Sequence, residues 1–497
     1  KLFATMANKG YIYKGLKPVY WCHDCNTALA EAEIEYAEDP CHSIYVKFNV
    51  TDDLGKLTAM GADLSKTYFV IWTTTTWTLP ANVAICVGPD FEYSLIKSGD
   101  EYYVMATDLA ASAMEAKGVS DYETLGVIKG SELEYMKTQH PFIDRTSLVI
   151  VGDHVTLESG TGCVHTAPGH GIEDFVVCKN YPEIPIIVPV DAKGRLTEEA
   201  GMFAGLTTEE ANKPIALHLE KIGALFALKK IEHQYPHCWR CHKPVIFRAT
   251  SQWFCSVDDF KDDAVKAAED VKWFPEWGKD RLQSMVKERA DWCISRQRKW
   301  GVPIPVVYCQ DCGKEIIDND IMMKVSKIFG EEGSDAWFAH DTEYFLPEGF
   351  KCPHCGSTKG FDKEKDIMDV WFDSGVTHAA VCGQRPNLRR PADLYLEGAD
   401  QDRGWFQSSL LTSVATTGEA PYKAVVTHGW VVDGEGKKMS KSLGNGIDPS
   451  DVVNEYGADI LRLWVASSDY HADIRISKEI LKQHFALGFD LHNLHHT

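Results

Sequence analysis

The chain has 497 residues, 44% hydrophobic and 25% charged, with a formal net charge of −21; this is ordinary globular composition, long enough for roughly three or four domains. The acidic balance excludes a broadly basic surface of the kind that coats nucleic acid by neutralising many phosphates, so any nucleic acid must be held by local patches. No apolar run approaches the roughly 18 residues of a membrane span, and the N-terminus lacks the sectors of a secretory signal, so a cytoplasmic protein without a membrane partner is expected.

Fifteen cysteines would suggest disulfides in a small secreted domain, but here eight of them form four C-x-x-C pairs, which reads as zinc in a reducing compartment. The first pair, Cys22 and Cys25, precedes alternating sequence such as Ser43-Ile44-Tyr45-Val46-Lys47-Phe48 and Thr67-Tyr68-Phe69-Val70-Ile71-Trp72. That alternation predicts strands, and residues from about 40 to 230 read as one mixed, β-rich domain. The second pair, Cys238 and Cys241, arrives where that composition ends. One tetrahedral zinc needs four ligands, so two half-sites flanking an insert would clamp its stalk.

Asp280 to Ala290 has helical character, and Cys309/Cys312 with Cys352/Cys355 bracket a zinc-ribbon-like stretch whose glycines after each second Cys suit a knuckle turn. A set of four thiolates leaves no open coordination position, so both zincs would be structural. From Asp366 onward short apolar strands such as Ala424-Val425-Val426-Thr427 alternate with helical segments such as Asp451 to Ala466, predicting a parallel α/β sheet. Local basic clusters are Arg296, Arg298 and Lys299; Arg385, Arg389 and Arg390; and Lys437, Lys438 and Lys441. Each also fits a solvated charged face.

The last of these lies in the glycine-flanked string Asp433-Gly434-Glu435-Gly436-Lys437-Lys438-Met439-Ser440-Lys441-Ser442. Glycines permit a mobile loop, and paired lysines can neutralise charge building on a departing pyrophosphate. The string resembles the K-M-S-K-S signature of class I aminoacyl-tRNA synthetases. Asp291-Trp292-Cys293-Ile294-Ser295-Arg296-Gln297, Asp369-Val370-Trp371-Phe372-Asp373-Ser374-Gly375 and Glu397-Gly398-Ala399-Asp400-Gln401-Asp402-Arg403-Gly404-Trp405-Phe406 extend the resemblance to the isoleucine type, over roughly residues 10 to 480.

That resemblance implies an α/β fold: a partial Rossmann-type catalytic core with an inserted β-rich editing domain and zinc-ribbon elements. Residues 1–40 would end the first catalytic half and begin the zinc stalk, 41–230 form the editing domain, and 231–305 return through the stalk to the core. Residues 306–360 would be the zinc-ribbon insertion, 361–465 the second half of the core with its lysine loop, and 466–497 the start of a truncated helical region. The piece would lack the H-I-G-H-containing N-terminal part and the anticodon-binding C-terminal part, and so would not aminoacylate alone.

By the same resemblance Glu397 contacts the aminoacyl-adenylate, with Gly398, Asp400, Gln401 and Trp405 lining the pocket. Lys438 and Lys441 would act on the transition-state charge, and with Ser440 and Ser442 would hold ATP, which enters with Mg2+ as substrate. Asp402 stands where the family usually has His, and Thr76 where it has Pro. The editing site would use Thr73, Thr74 and Thr75 with His165 and Asp174. Asp174 would bind the ammonium of a mischarged amino acid, and His165 would limit side-chain size or contact the terminal adenosine; alone, His165 reads as a structural histidine.

Two zincs would join Cys22, Cys25, Cys238 and Cys241, and Cys309, Cys312, Cys352 and Cys355. Expected partners are isoleucine, ATP and tRNA(Ile), with the full-length protein a monomer. The competing readings are a stand-alone aminoacyl-tRNA deacylase and a non-catalytic zinc-ribbon RNA-binding module; the latter accounts for the cysteines but not for the lysine loop.

Overall fold

A computed structural model describes residues 1–439 and 444–494. They fall into two compact units, one of Lys14–Phe254 with Ser295–Trp300, the other of Lys1–Tyr13, Cys255–Ile294 and the described residues from Gly301 on.

In the first unit ten strands form one sheet: β1 (Ile34–Asp52), β2 (Thr67–Thr73), β3 (Ala84–Val87), β4 (Glu92–Ser98), β5 (Glu101–Ala106), β6 (Glu123–Lys129), β7 (Lys137–Gln139), β8 (Thr146–Val151), β9 (Cys163–Thr166) and β10 (Leu225–Cys238). Strands β1, β7, β8, β3, β9 and β2 pair in that order, and β2 pairs back onto β1. The ring is therefore closed, which removes the unpaired edges that an open sheet would present. Within the ring two pairings, β8 with β3 and β9 with β2, are parallel, and outside it β2 also pairs parallel with β5. Strands β5, β4 and β6 extend the sheet outward from β2.

The expected alternation supplies the core. Helix α1 (Thr107–Lys117) lays Ala110, Ala113 and Met114 against Tyr45, Val70, Ile96 and Met105. Helix α2 (Ile172–Cys178) lays Val177 and Cys178 against Ala84, Cys86 and Ile150. Beyond the barrel, β1 and β10 continue as a two-stranded antiparallel ribbon, in register down to Ile34 opposite Cys238. Its outer part is solvated, with Glu35, Tyr36, Ala37 and Glu38 exposed.

The second unit holds three parallel strands, β11 (Lys272–Phe274), β12 (Tyr395–Gly398) and β13 (Ala424–His428), with β13 in the middle. Helix α3 (Trp405–Thr417) connects β12 to β13, the crossover that adjacent parallel strands require. It is buried on every side from Phe406 through Ala415, including the polar Gln407, Ser408, Ser409, Thr412 and Ser413, so over that stretch it has no solvated face and is not amphipathic. The helical stretch expected over Asp451 to Ala466 is two helices, Pro449–Tyr456 and Ala458–Ser467. They are divided at Gly457, whose φ of 89° no helix accommodates.

Residues between the third and fourth cysteine pairs are largely helical rather than ribbon-like. Asp318 caps a helix over Asn319–Glu332 by accepting the Ile321 N–H at 2.9 Å. Its apolar face packs Ile321, Val325 and Ile328 on Trp337 and Phe345, above three short strands, Val307–Cys309, Glu315–Ile316 and Phe361–Lys363. No described helix is long and apolar enough to cross a membrane.

Candidate functional site

Strands β2 and β9 run parallel with Trp72 opposite Val164, so Thr73 and His165, far apart in sequence, end adjoining strands. The chain then bends at Thr74 on one side and, leaving the strand after Thr166, turns over residues 168–170 on the other. Between these turns lies a cavity of about 270 Å³ lined by Thr73, Thr74, Thr75, Thr78, His165, His170 and Asp174, among others. All five editing residues named from the sequence thus line one pocket. Asp174 sits in the first turn of α2, where its Oδ2 accepts the Ala167 N–H at 2.8 Å. Burial pushes its carboxyl up to about 6, against that hydrogen bond and with a smaller push from Glu173.

The protons around His165 are fixed by their partners. The Ala84 carbonyl can only accept, so Asn82 presents its amide nitrogen there at 2.9 Å, and the same nitrogen donates to His165 Nδ1 at 2.8 Å. Asn82 Oδ1 in turn accepts from the Ser147 hydroxyl. With Nδ1 an acceptor, Nε2 carries the proton and donates to Thr78 Oγ1 at 3.0 Å, and Thr78 donates onward to the Thr75 carbonyl at 2.7 Å. Burial pushes the His165 ring down to about 3, with His140 and His170 adding to the effect. His165 is therefore a neutral strut with both nitrogens committed. Thr78 and Asn82 follow the threonine run Thr73 to Thr76 in sequence but, like Ser147, carry no signal of their own there.

The glycines of Gly160-Thr161-Gly162-Cys163-Val164-His165-Thr166-Ala167-Pro168-Gly169 make close approaches to the chain itself. Gly162, at φ 71°, would place a Cβ 2.5 Å from that of Ala106, and Gly169 would place one 2.2 Å from the Ile187 carbonyl oxygen. Because that obstacle is backbone, Gly169→Ala is expected to cost about 1–3 kcal/mol. A lowered thermal midpoint checks this; an unchanged one would refute the packing argument.

In the second unit Glu397 is exposed near the carboxyl end of β12, opposite Thr427 of the parallel β13. The carboxyl ends of parallel strands are where open α/β sheets bind ligands. Gly398 leads into a tight turn, Ala399–Asp402, in which Gln401 Nε2 donates to Asp400 Oδ2 at 3.0 Å. Gln401 Oε1 accepts the Trp405 N–H at 2.8 Å, holding the start of α3. The Trp405 ring stacks on Tyr395 at 3.9 Å and 12°, and its Nε1 donates to the Ser374 carbonyl at 2.9 Å. Glu397, Gly398, Asp400, Gln401 and Trp405 are thereby gathered on one strand, turn and helix start. Asp402 is fully buried, its carboxylate 3.2 Å from Arg281 Nε. Burial pushes that carboxyl up to about 6, opposed by Arg281 and assisted by Asp400.

Upstream of the lysine loop, Asp433 organises the turn. Its Oδ1 accepts the N–H groups of Glu435 and Lys437 at 3.0 and 2.8 Å, and its Oδ2 accepts Asn445 Nδ2 at 2.8 Å. These bonds hold its carboxyl below the usual range, Asn445 contributing most. Lys438 is exposed and bridges to Val432. Ser440, Lys441 and Ser442 lie outside the described residues.

Each cysteine tetrad is assembled within one unit. The sulfurs of Cys22, Cys25, Cys238 and Cys241 all lie within 4.8 Å of one another, as do those of Cys309, Cys312, Cys352 and Cys355. Cys22 and Cys241 are 3.6 Å apart, Cys309 and Cys355 3.6 Å, and Cys312 and Cys352 3.8 Å. None is bonded to another, and four thiolates about 2.3 Å from a central ion would stand roughly 3.8 Å apart. The donor sets fit a tetrahedral metal. In all four knuckles the residue after the second Cys has positive φ: Asn26 (53°), His242 (56°), Gly313 (69°) and Gly356 (73°). Only the two glycines announced this turn in the sequence.

Two basic candidates are not free surface. Arg296 is 2% exposed and grips Glu33 Oε2 through Nε and Nη2 at 3.0 and 2.8 Å. Arg390 donates to His378 Nδ1, Ser413 and Thr417, all at 3.0 Å.

Comparison with known proteins bears on the whole chain. An "Isoleucine--tRNA ligase" of Caldicellulosiruptor saccharolyticus is 62% identical over 483 residues, covering 97% of this chain and 52% of that protein. One of Thermoanaerobacter sp. (strain X514) is 61% identical over the same length and shares. The chain spans about half the length of the curated relatives it matches. A solved leucyl enzyme in ternary complex from Agrobacterium radiobacter K84 aligns at 18% identity over 98% of this chain and 59% of that one, but with a TM-score of 0.36 the likeness carries no argument. A model of the class I tRNA synthetases for I, L, M and V matches residues 1–477, a span that contains the pocket, the β12 turn, the lysine loop and both tetrads, so the chain belongs to the class I tRNA synthetases.

Proposed function

We propose that the chain is part of a cytoplasmic isoleucine-tRNA ligase, which activates isoleucine with Mg2+-ATP, transfers it to tRNA(Ile) and hydrolyses mischarged valyl-tRNA(Ile). The observation that carries this reading is the pocket uniting Thr73, Thr74, Thr75, His165 and Asp174 within a chain 62% identical to an isoleucine--tRNA ligase.

A missing methylene in an apolar pocket supplies only about 1–3 kcal/mol of discrimination, the isoleucine and valine pair being itself the usual illustration of that limit and not a value obtained from this chain. A second, smaller site that admits the valyl ester and excludes the isoleucyl one removes the errors. A cavity of about 270 Å³ is small for a ligand site, and a carboxylate in its wall suits the free ammonium of an aminoacyl ester.

Activation falls to the second unit, a partial Rossmann-type core. Glu397 faces the adenylate at the strand end, Gly398, Asp400, Gln401 and Trp405 shape the pocket, and Lys438 and Lys441 stabilise the pyrophosphate. Zinc in the two tetrads is structural, holding the ribbon's neck and the helical insertion.

Isoleucine-dependent ATP/pyrophosphate exchange by the whole protein tests the reading. Lys438→Ala and Lys441→Ala are each expected to slow exchange about 100-fold or more. Exchange no faster with isoleucine than with valine or leucine would overturn the isoleucine assignment; hydrolysis of valyl-tRNA without any exchange would favour a deacylase.

A further inference from the structure

The editing reading leaves a question that its named residues do not answer: what holds the attacking water. His165 cannot accept a hydrogen bond from it, since Nδ1 already accepts from Asn82 and Nε2 already donates to Thr78. Asp174 is committed on one oxygen to Ala167 and would meet the substrate ammonium with the other.

Another histidine lines the same pocket. His170 is only 8% exposed, follows the Ala167 turn through its N–H to the Ala167 carbonyl at 2.8 Å, and packs edge-on against Trp77 at 5.0 Å. Its Nδ1 lies 2.8 Å from the Phe247 carbonyl oxygen, which can only accept, so Nδ1 carries the proton. In the neutral ring Nε2 is then a bare lone pair, and Nε2 is buried without a partner among the described residues. A buried acceptor left unpaired costs free energy that a bound donor would return. Burial holds the ring neutral, pushing it down to about 4 against the Phe247 bond, so it is suited to accept a hydrogen bond but not to take a proton. His154, also in the wall, has no hydrogen bond to described residues that would fix its tautomer, and is more exposed.

We propose that His170, through Nε2, is the acceptor that positions the hydrolytic water of the editing pocket, an inference that rests on the editing reading. The water donates one hydrogen to Nε2 and turns its oxygen lone pair to the ester carbonyl carbon. A new C–O bond forms there and the bond to the ribose oxygen breaks. The ribose oxygen leaves as a hydroxyl with one proton of the water, and the free amino acid's carboxyl releases the other to solvent.

Two variants of the whole protein separate this from a packing role. His170→Asn can keep the donation to Phe247 from its amide nitrogen but leaves nothing at the Nε2 position, whereas His170→Gln, with its longer side chain, can present an amide oxygen there. For His170→Asn, kcat for valyl-tRNA hydrolysis is expected to fall about 100-fold with KM within about threefold. His170→Gln is expected to recover about tenfold of that loss, with thermal midpoints alike in all three proteins. Asn within about threefold of wild type, Gln as slow as Asn, or a loss that tracks a lowered midpoint would each overturn the proposal. Wild-type protein that hydrolyses no valyl ester would bring down the editing reading and this one together; wild-type hydrolysis with an unimpaired Asn variant would bring down this one alone.

Discussion

Replacing Asp174 with Ala is expected to slow hydrolysis of valyl-tRNA by about 100-fold or more, mostly through KM, because a charge-assisted bond to the substrate ammonium is lost. Pyrophosphate exchange, assigned to the other unit, should be unaffected. Only the ionised carboxylate attracts the ammonium, so wild-type hydrolysis should climb as pH rises through about 6, the value to which burial pushes this group. Stability runs the opposite way. The folded carboxyl holds its proton at pH values where the unfolded one, near 3.8, has released it, so its contribution is greatest below about pH 4 and is lost as pH rises through about 6. Asp174→Asn should therefore stabilise the fold at pH 7.5 by about 1–2 kcal/mol after allowance for its partial exposure, read as a higher thermal midpoint, and leave the midpoint unchanged at pH 4. Equal midpoints for the two proteins at pH 7.5 would contradict the buried-charge account.

Exchanging Cys352 for Ser is expected to unfold the helical insertion. Four-thiolate zinc sites contribute about 10–16 kcal/mol in small peptides, and the core here, gathered around Trp337 and Phe345, itself includes two of the ligands, Cys309 and Cys352. Metal content should fall from about two zinc per chain to about one, and amides of residues 319–332 should exchange rapidly with solvent while those of the barrel stay protected. Chelators should strip this tetrad first, since Cys312 and Cys355 are exposed, whereas Cys22 and Cys238 are buried and Cys25 and Cys241 partly so. Retention of two zinc in Cys352→Ser would show that the pairs are not joined as the sulfur distances suggest.

Much of the first unit could be anticipated residue by residue but not as a surface. Alternation in Ser43 to Phe48 and Thr67 to Trp72 marks strands, and the strings around Thr73 and His165 mark where chemistry gathers. Which strand lies beside which is not encoded in alternation: the barrel closes through parallel pairs, and only these bring the ends of β2 and β9 together. The same gap explains Arg296. A basic residue in a basic run reads as exposed until Glu33, 263 positions away, is seen beside it. In the insertion between Cys312 and Cys352 the paired cysteines mark the two knuckles, whereas the helix between them shows only in the Ile321, Val325 and Ile328 spacing. His170 was visible only as a letter in a glycine-rich string, since its meaning depends on the distant Phe247 carbonyl that fixes its proton.

The two tetrads differ in when they can exist. On the ribosome, the one at Cys309 to Cys355 is complete within a few seconds of its first cysteine at about 5–20 residues per second. The one at the ribbon's neck has Cys22 and Cys25 synthesised before the entire barrel and Cys238 and Cys241 after it, an interval of about 10–40 s at that pace. Throughout it, two thiols wait without their partners, open to oxidation and to any stray metal. The barrel must collapse and bring its own ends together before the neck can close, so the metal there seals a fold already made, whereas the other helps make one.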